Sequence, residues 1–208
     1  MRYAATLLLL SASMLACNEP PLYATRAEDA LRARGMSPTL IEHFIDRHPL
    51  EPDEARELAG VDDAAVLHLL GANVGTPEDI LRTLAAHPDP EVRSGVASNP
   101  AAPVELLVAL REQGHRSVYH GLAGNAGMPA EVLRALFDDE AAAWSAFASN
   151  PALPDDLKLL IAREGDAQAL YAMSLNPQLA PEVLATLHER GDESVRSNLE
   201  QRVAWGWD

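Results

Sequence analysis

The chain has 208 residues, of which 31 are acidic and 16 are Lys or Arg, and its formal net charge at neutral pH is −15. A surface of this charge repels nucleic-acid phosphates and anionic lipid, so we expect no nucleic-acid partner. The hydrophobic content of 48% is that of a globular protein. Ala and Leu dominate and alternating β-branched runs are absent, which predicts an all-α fold.

The first 16 residues, "MRYAATLLLLSASMLA", have the layout of a cleaved secretory signal peptide. One Arg precedes an apolar stretch that is shorter than the ~20 residues that a permanent membrane helix needs. The stretch ends in "MLAC", whose Cys17 is the only cysteine of the chain. These letters resemble the lipobox of bacterial lipoproteins, with Met14 in place of the usual Leu.

The lipobox resemblance implies that Cys17 is lipidated, becomes the new N-terminus and anchors the protein in the bacterial cell envelope. Asn18 is not the Asp associated with retention in the inner membrane, so we expect the outer membrane, on its periplasmic face or at the cell surface. The alternative interpretation is a plain signal peptide, with Cys17 lost or left as a free thiol. A single cysteine also excludes an intrachain disulfide and a cysteine metal cluster.

Two segments lead from this N-terminus to the main body of the chain. Residues 17–23 contain Pro and predict a short tether, and residues 24–61 predict a helical N-terminal cap. Within the cap, Ala27 and Leu31 fall on one helix face, and a degraded repeat unit follows from Pro38. Repeat arrays need such caps because a terminal unit would otherwise expose its apolar face.

Residues 62–202 form a repeat with a period of about 26 residues. Its asparagines follow one another at intervals of 26, 26, 25 and 26 residues, at Asn73, Asn99, Asn125, Asn150 and Asn176. Apolar residues lie seven and three positions before them, at Val66, Val92, Val118, Ala143 and Ala169 and at Leu70, Val96, Leu122, Phe147 and Met173. A leucine row lies eight positions after them, at Leu81, Leu107, Leu133 and Leu184, with Lys158 as the exception. Each unit therefore predicts two short helices.

An Asn-Pro pair followed by another Pro separates successive helices, as at Asn99 and Pro103. Asn favours a left-handed helix end, whereas the Pro after it favours extended backbone, so the conformation of Asn99 stays open. We interpret the pair as a hinge between stacked layers, and a ligand-binding ladder of asparagines is the alternative. Gly95 and Gly121, four positions before an Asn, predict close packing of neighbouring helices.

The stretch "HPDPEVRSGVASNPAAPVELLVAL", from His87 to Leu110, resembles the leucine-rich repeat variant family, whose units run Val-Arg, Val-Ala, Asn-Pro, Pro and leucines. The resemblance covers residues 62–202 and implies a right-handed α-solenoid of short paired helices, α and 3₁₀, of a kind similar to HEAT repeats. Tyr119 and Trp144 depart from the pattern, because the family has Arg there. Some members carry an iron–sulfur cluster on a Cys-rich segment, and with one cysteine this chain is expected to have no iron–sulfur cluster.

Residues 203–208 predict a C-terminal cap. Arg202 stands where the repeat would place its next asparagine, and "VAWGWD" closes the sequence. We expect Trp205 and Trp207 to cover the last open face of the core, with contact to a ligand as the alternative.

The sequence contains no recognisable catalytic or metal motif. None of the seven histidines lies in a His-x-x-x-His motif with Glu, and His68 and His120, which share a repeat position, are expected to be solvated surface residues. Acidic pairs are expected at helix starts, where carboxylates stabilise the helix. These pairs are Asp62-Asp63, Asp138-Asp139-Glu140, Asp155-Asp156 and Asp192-Glu193. We therefore expect no enzyme activity, no metal and no cofactor.

One row of the repeat, six positions before each asparagine, is a candidate interaction surface. Together with its immediate neighbours, this row contributes Arg93, Tyr119, His120, Trp144, Tyr171 and Arg196. Arg, Tyr and Trp are enriched at binding hot spots. The alternative is a half-buried packing row in which the arginines pair with acidic neighbours.

These observations predict a non-catalytic envelope lipoprotein whose acidic helical solenoid binds a protein partner, as a scaffold, an assembly factor or an inhibitor. An enzyme or a metal-binding accessory protein of the cell envelope, using the acidic clusters, is the competing class.

Overall fold

The computed structural model describes residues 22–139 and 144–207, and within these ranges the chain consists of fourteen α-helices and their connections, without a strand. The all-α prediction is confirmed. Every helix in these ranges is an α-helix, so the 3₁₀ helices implied by the family resemblance are not found there. The i→i−3 hydrogen bonds occur instead where helices end, as between Asn99 N–H and the Val96 carbonyl. The helices form two compact units that divide after Pro129.

In the part of the chain that the structure describes, the first unit contains eight helices. They are α1 (Leu22–Ala33), α2 (Pro38–Ile45), α3 (Pro52–Ala59), α4 (Ala64–Ala72), α5 (Glu78–Ala85), α6 (Pro90–Ser98), α7 (Val104–Arg111) and α8 (Arg116–Gly124). From α4 to α6, each helix packs on the second helix after it in the chain: α4 packs on α6, α6 packs on α8, and α5 packs on α7. The α1 helix packs on α4 and already begins at Leu22, inside the segment predicted as a tether.

The second unit contains six helices in the described ranges. They are α9 (Ala130–Asp139), α10 (Trp144–Ser149), α11 (Asp155–Glu164), α12 (Ala167–Ser174), α13 (Pro181–Arg190) and α14 (Glu193–Trp205). Packing alternates here as well, since α10 packs on α12, α12 on α14, and α11 on α13.

The two apolar rows before the asparagines form the core of both units. Val66, Val92, Val118 and Ala169 in one row are buried, and so are all five members of the other, from Leu70 to Met173. Ala143 lies outside the described residues. Leu81, Leu107 and Leu133 are also buried. The predicted core rows are therefore confirmed for every described position before the asparagines.

Small residues let the helix backbones approach closely, as their spacing predicted. A Cβ atom added to Gly121 would lie 2.7 Å from the Ser94 carbonyl oxygen, and one added to Gly95 would overlap the His68 carbonyl. Both contacts join helices of adjacent layers, so a side chain at either position would force the layers apart.

Acidic side chains cap several helices, but one cluster lies elsewhere. The Asp63 carboxylate accepts the N–H groups of Ala65 and Val66, and Asp192 accepts that of Val195. The prediction for the cluster at Asp138 was wrong: Asp138 and Asp139 end α9, because the apolar row through Leu133 and Leu136 continues the helix to that point. Glu140 lies outside the described residues.

Candidate functional site

The repeated asparagines form a buried hydrogen-bonded ladder. Asn99 is extended, with φ −79° and ψ 114°. Asn125, which Ala126 follows, has nearly the same geometry, with φ −76° and ψ 113°, so the extended conformation does not require the following Pro. Its side chain is fully buried; Nδ2 donates to the carbonyls of Gly71 and Asn73, both at 2.8 Å, and Oδ1 accepts from Ala101 N–H at 2.8 Å.

The same three bonds recur at other asparagines. Asn125 donates to the carbonyls of Ala97 and Asn99, and Asn176 donates to those of Ala148 and Asn150, again 28 and 26 residues earlier. Because backbone carbonyls take both N–H groups of each amide, these side chains have no donor left for a ligand. The ladder is a structural device, as the hinge interpretation requires.

Arg202 ends the ladder in the second unit. Its Nη1 donates to the Asn176 carbonyl at 2.7 Å, 26 residues earlier, which is the bond that an asparagine would make. Nη2 donates to the carbonyls of Pro177 and Trp207, and the guanidinium lies 5.5 Å from the centre of the Trp207 ring. Trp207 therefore packs against Arg202, and its role as a cover of the core stays a prediction. The Trp205 side chain lies outside the described part of the chain.

The two arginines of the candidate surface bond to their own preceding loops. Arg93 is half-buried and its Nη1 donates to the carbonyls of His87 and Pro88, at 2.7 and 2.8 Å. Arg196 is exposed and its Nη1 donates to the Gly191 carbonyl at 2.6 Å. The acceptors of these bonds are backbone carbonyls. The alternative of a half-buried packing row had predicted acidic side chains as the partners of the arginines.

Tyr119 and His120 lie on α8 of the first unit, which packs on the helix of Arg93. Tyr119 is half-exposed and His120 is exposed. Partial burial of its ring, and then the charge of Arg116, lower the pKa of His120. The lowered pKa favours the neutral form of the His120 imidazole near neutral pH.

Trp144 and Tyr171 lie in the second unit on α10 and α12, which pack together. Trp144 is half-buried and stacks on Phe137 with ring centres 5.7 Å apart, and Phe137 meets Phe147 edge-on at 5.0 Å. The indole Nε1–H is buried and has no acceptor among the residues that the structure describes. Trp144 thus belongs to an aromatic cluster, whereas Tyr171 is half-exposed.

An open depression of about 370 Å³ lies between α12 and α14. Its lining consists of Tyr171, Glu193, Ser194, Ser197 and Asn198. Tyr171 is the one residue of the six predicted for the candidate surface that lines this depression.

Comparison of the chain with protein-family models, with curated proteins and with solved structures finds no match. The likeness to the leucine-rich repeat variant family thus rests on the motif residues and stays a prediction. Cys17 and the signal segment lie outside the described residues.

His68 is not the solvated residue that the sequence predicted. Its ring stacks on Tyr23 with centres 4.4 Å apart, and its Nδ1 lies 2.7 Å from the Glu91 carbonyl and 3.2 Å from Ser94 Oγ. Burial lowers the pKa of His68, and Arg47 lowers it further against the opposing effect of Glu91. Tyr23 donates to the Glu91 carboxylate at 2.8 Å; burial and this bond raise the pKa of Tyr23 to about 12. His68 and Ser94 share one position of the repeat, and this spacing was the sequence signal that could have predicted their contact.

Lys158 is a buried cation at a leucine position of the repeat. Its Nζ donates to the carbonyls of Pro151 and Gln178, at 3.0 and 2.8 Å, and lies 3.6 Å from an Asp155 oxygen. Burial lowers the pKa of Lys158. These contacts explain how a charged side chain replaces leucine in the core row, and they use its donors internally.

Within the described ranges, no three or more His, Cys, Asp or Glu side chains are placed to hold a metal ion together. No helix in these ranges is both long and apolar enough to cross a bilayer.

Proposed function

We propose that the protein is a non-catalytic lipoprotein of the bacterial cell envelope, anchored through Cys17, whose acidic helical solenoid binds a protein partner. One observation carries this proposal. Repeated polar side chains such as Asn99 and Asn125 are consumed by internal bonds, whereas the non-repeating Tyr119 and Tyr171 remain half-exposed. The surface, rather than an internal site, is therefore the part of the molecule that is free to act.

The solenoid part of the proposal is supported by hydrogen bonds of constant sequence separation. Asn99, Asn125 and Asn176 donate to carbonyls 26 and 28 residues earlier, and alternate helices pack on one another in each unit. An array with a repeat of about 26 residues accounts for both observations, and its right-handedness is what the family resemblance implies.

The partner proposed is a protein with basic surface. The net charge of −15 favours a cationic partner and opposes nucleic acid. Tyr and Arg at the candidate surface are residue types that dominate binding energy when an interface desolvates them. A role as scaffold, assembly factor or inhibitor requires no more than such a surface.

The helix-capping carboxylates support a non-catalytic role. Asp63, Asp89 and Asp166 each accept backbone N–H groups at the start of a helix. Their placement follows the repeat, which is what helix capping demands. An enzyme that used the acidic clusters, as a glycosidase does, would need one pair of carboxylates held apart from this pattern.

The proposal is tested by capture from envelope extracts with the anchored protein as bait. Tyr119→Ala should lower the affinity for the partner by about thirtyfold or more, because a hot-spot residue contributes roughly 2 kcal/mol or more. Its melting temperature should stay near that of the wild type, since the ring is half-exposed. Val108→Ala, which truncates an exposed side chain on α7, is the matched control.

Trp144→Ala separates packing from binding. Because its ring stacks on Phe137, we expect this variant to melt at a lower temperature. Undiminished capture by both Tyr119→Ala and folded Trp144→Ala would rule out the aromatic surface. Capture of no partner by the wild type, with turnover of an envelope substrate, would favour the enzyme class instead.

A further inference from the structure

We infer that the depression between α12 and α14 is a subsite for a basic side chain, an arginine above all, of the protein partner. The inference rests on the proposed function, because it specifies the chemistry of one contact with that partner. The depression lies wholly in the second unit and is lined by Tyr171 on α12 and by four residues of α14. Its volume lies at the lower end of the range for ligand sites, which is roughly 300 to 1,000 Å³.

The lining is held in place by the fold. Glu193, Ser194, Ser197 and Asn198 are spaced i, i+1, i+4 and i+5, so they share one face of α14. Asn198 Nδ2 donates to Ser174 Oγ at 2.9 Å, and Ser174 Oγ donates to the Tyr171 carbonyl at 2.7 Å. These two bonds tie the lined face of α14 to the turn of α12 that carries Tyr171.

The chemistry of the lining selects a cation. Glu193 is its one charged residue, and the serine hydroxyls offer acceptor oxygens. A guanidinium presents several N–H donors in a plane and also stacks on an aromatic face. The Glu193 carboxylate and the Tyr171 ring supply those two complements on opposite helices, whereas an anion would meet the Glu193 charge without a compensating cation in the lining.

The charge of the surrounding chain acts in the same direction. Residues 130–208 contain 14 acidic residues against 6 Lys and Arg, a net charge of −8. Such a field raises the local concentration of cations and steers a basic partner toward the unit. A short-range contact at the depression would then fix the position of one basic side chain.

The test uses N-acetylargininamide as the probe and N-acetylcitrullinamide, its neutral counterpart, as the ligand control. Each is titrated into the full chain while backbone amide shifts are recorded by NMR. We expect the arginine probe to shift the amides around Tyr171, Ser194, Ser197 and Asn198 in a saturable way. The citrulline probe should leave them in place, because it keeps the shape and removes the charge.

Variants assign the contacts. Glu193→Gln should lower the affinity for the arginine probe by about fivefold, as expected for a partly exposed ion pair. Tyr171→Leu should lower this affinity by about two- to fivefold, because the face of the ring is lost. Tyr171→Phe should retain affinity because the ring remains. Glu182→Gln is the matched control, since it removes one exposed acidic charge from the first turn of α13, as Glu193→Gln does from α14.

The outcomes separate this inference from the proposed function. Equal shifts with the citrulline probe, shifts spread over the acidic surface, or equal weakening by Glu182→Gln and Glu193→Gln would each overturn the subsite. If the arginine probe fails while capture of the partner survives, the subsite falls and the proposed function stands. If the probe binds at this site but no protein is captured from envelope extracts, the subsite remains as a cation site and the proposed function falls.

Discussion

At the scale of single residues, buried polar side chains are tolerated because neighbouring layers satisfy them. Asn99 and Asn176 bury their amides completely, and Lys158 buries an ammonium group that donates to two carbonyls. A buried polar group without partners costs several kcal/mol, so each of these residues depends on the layer beside it. This dependence couples one repeat to the next through hydrogen bonds as well as through apolar contact.

Asn99→Ala should destabilise the first unit by about 2–4 kcal/mol, because it leaves the Gly71 carbonyl and the Ala101 N–H without their partner. Urea unfolding of the variant measures the loss. Gln113→Ala removes an exposed amide as the control and should change stability by less than about 0.5 kcal/mol. Equal stability of the two variants would mean that the ladder bonds contribute little.

His68 should make the stability of the first unit depend on pH. Because burial lowers the pKa of His68 in the folded chain, the unfolded chain binds this proton at a higher pH than the folded chain does. This contribution is fully present above the unfolded value of about 6.5 and is lost as pH falls through the lowered folded value. His68→Gln should flatten that part of the profile, measured by urea unfolding at a series of pH values.

The exposed His188 supplies the control for this experiment. His188→Gln should keep the loss of stability that wild type shows on acidification. A His68→Gln profile parallel to that of wild type would contradict the assignment.

At the scale of helices, packing distance is set by residues without bulk. Helices α6 and α8 approach so closely at Gly121 that a Cβ there would lie 2.7 Å from the Ser94 carbonyl and 3.0 Å from the Ala97 Cβ. The helix-propensity cost of glycine, roughly 1 kcal/mol, is therefore accepted in exchange for close contact of the layers. Periodic apolar rows alone would permit a wider spacing.

Gly121→Ala should destabilise the protein by about 1–3 kcal/mol, since the added methyl group overpacks the α6–α8 contact. Gly60→Ala is the control, because Gly60 has φ −77° and a Cβ there would come no closer than 3.4 Å to the Glu57 carbonyl. Thermal unfolding of both variants measures the two losses of stability. A Gly121→Ala protein as stable as Gly60→Ala would show that the layers can separate without cost.

At the scale of the whole molecule, the proposed function combines the acidic charge of the chain with an anchor on Cys17. A chain with net charge −15 is repelled by anionic lipid, so the acidic body itself provides no attraction to a membrane. The lipid proposed on Cys17 supplies the attachment that the body lacks. We therefore propose that the protein binds a basic partner close to the membrane.

Cys17→Ala should abolish incorporation of labelled palmitate and release the protein into the soluble fraction of the envelope. Ser13→Ala in the same segment is the control and should be labelled like wild type. Equal labelling of the Cys17→Ala variant would show that the lipobox interpretation is wrong.

The sequence by itself determined the all-α character and the core rows of this protein. Val92 and Val96 lie one helical turn apart, and this spacing predicted the helix face that the neighbouring helices bury. Glycines at Gly95 and Gly121 likewise predicted the close approach of neighbouring helices, because only a small residue fits there.

Only the tertiary structure decided the conformation, burial and contacts of particular polar and aromatic residues. The Asn99 conformation depends on carbonyls 26 and 28 residues away, the burial of His68 depends on Tyr23, and the ring of Trp144 depends on Phe137. Local propensity carries no information about such partners, since a polar side chain is stable in the interior or at the surface according to what bonds to it. For the same reason the depression at Tyr171 became visible only when α12 and α14 were placed side by side.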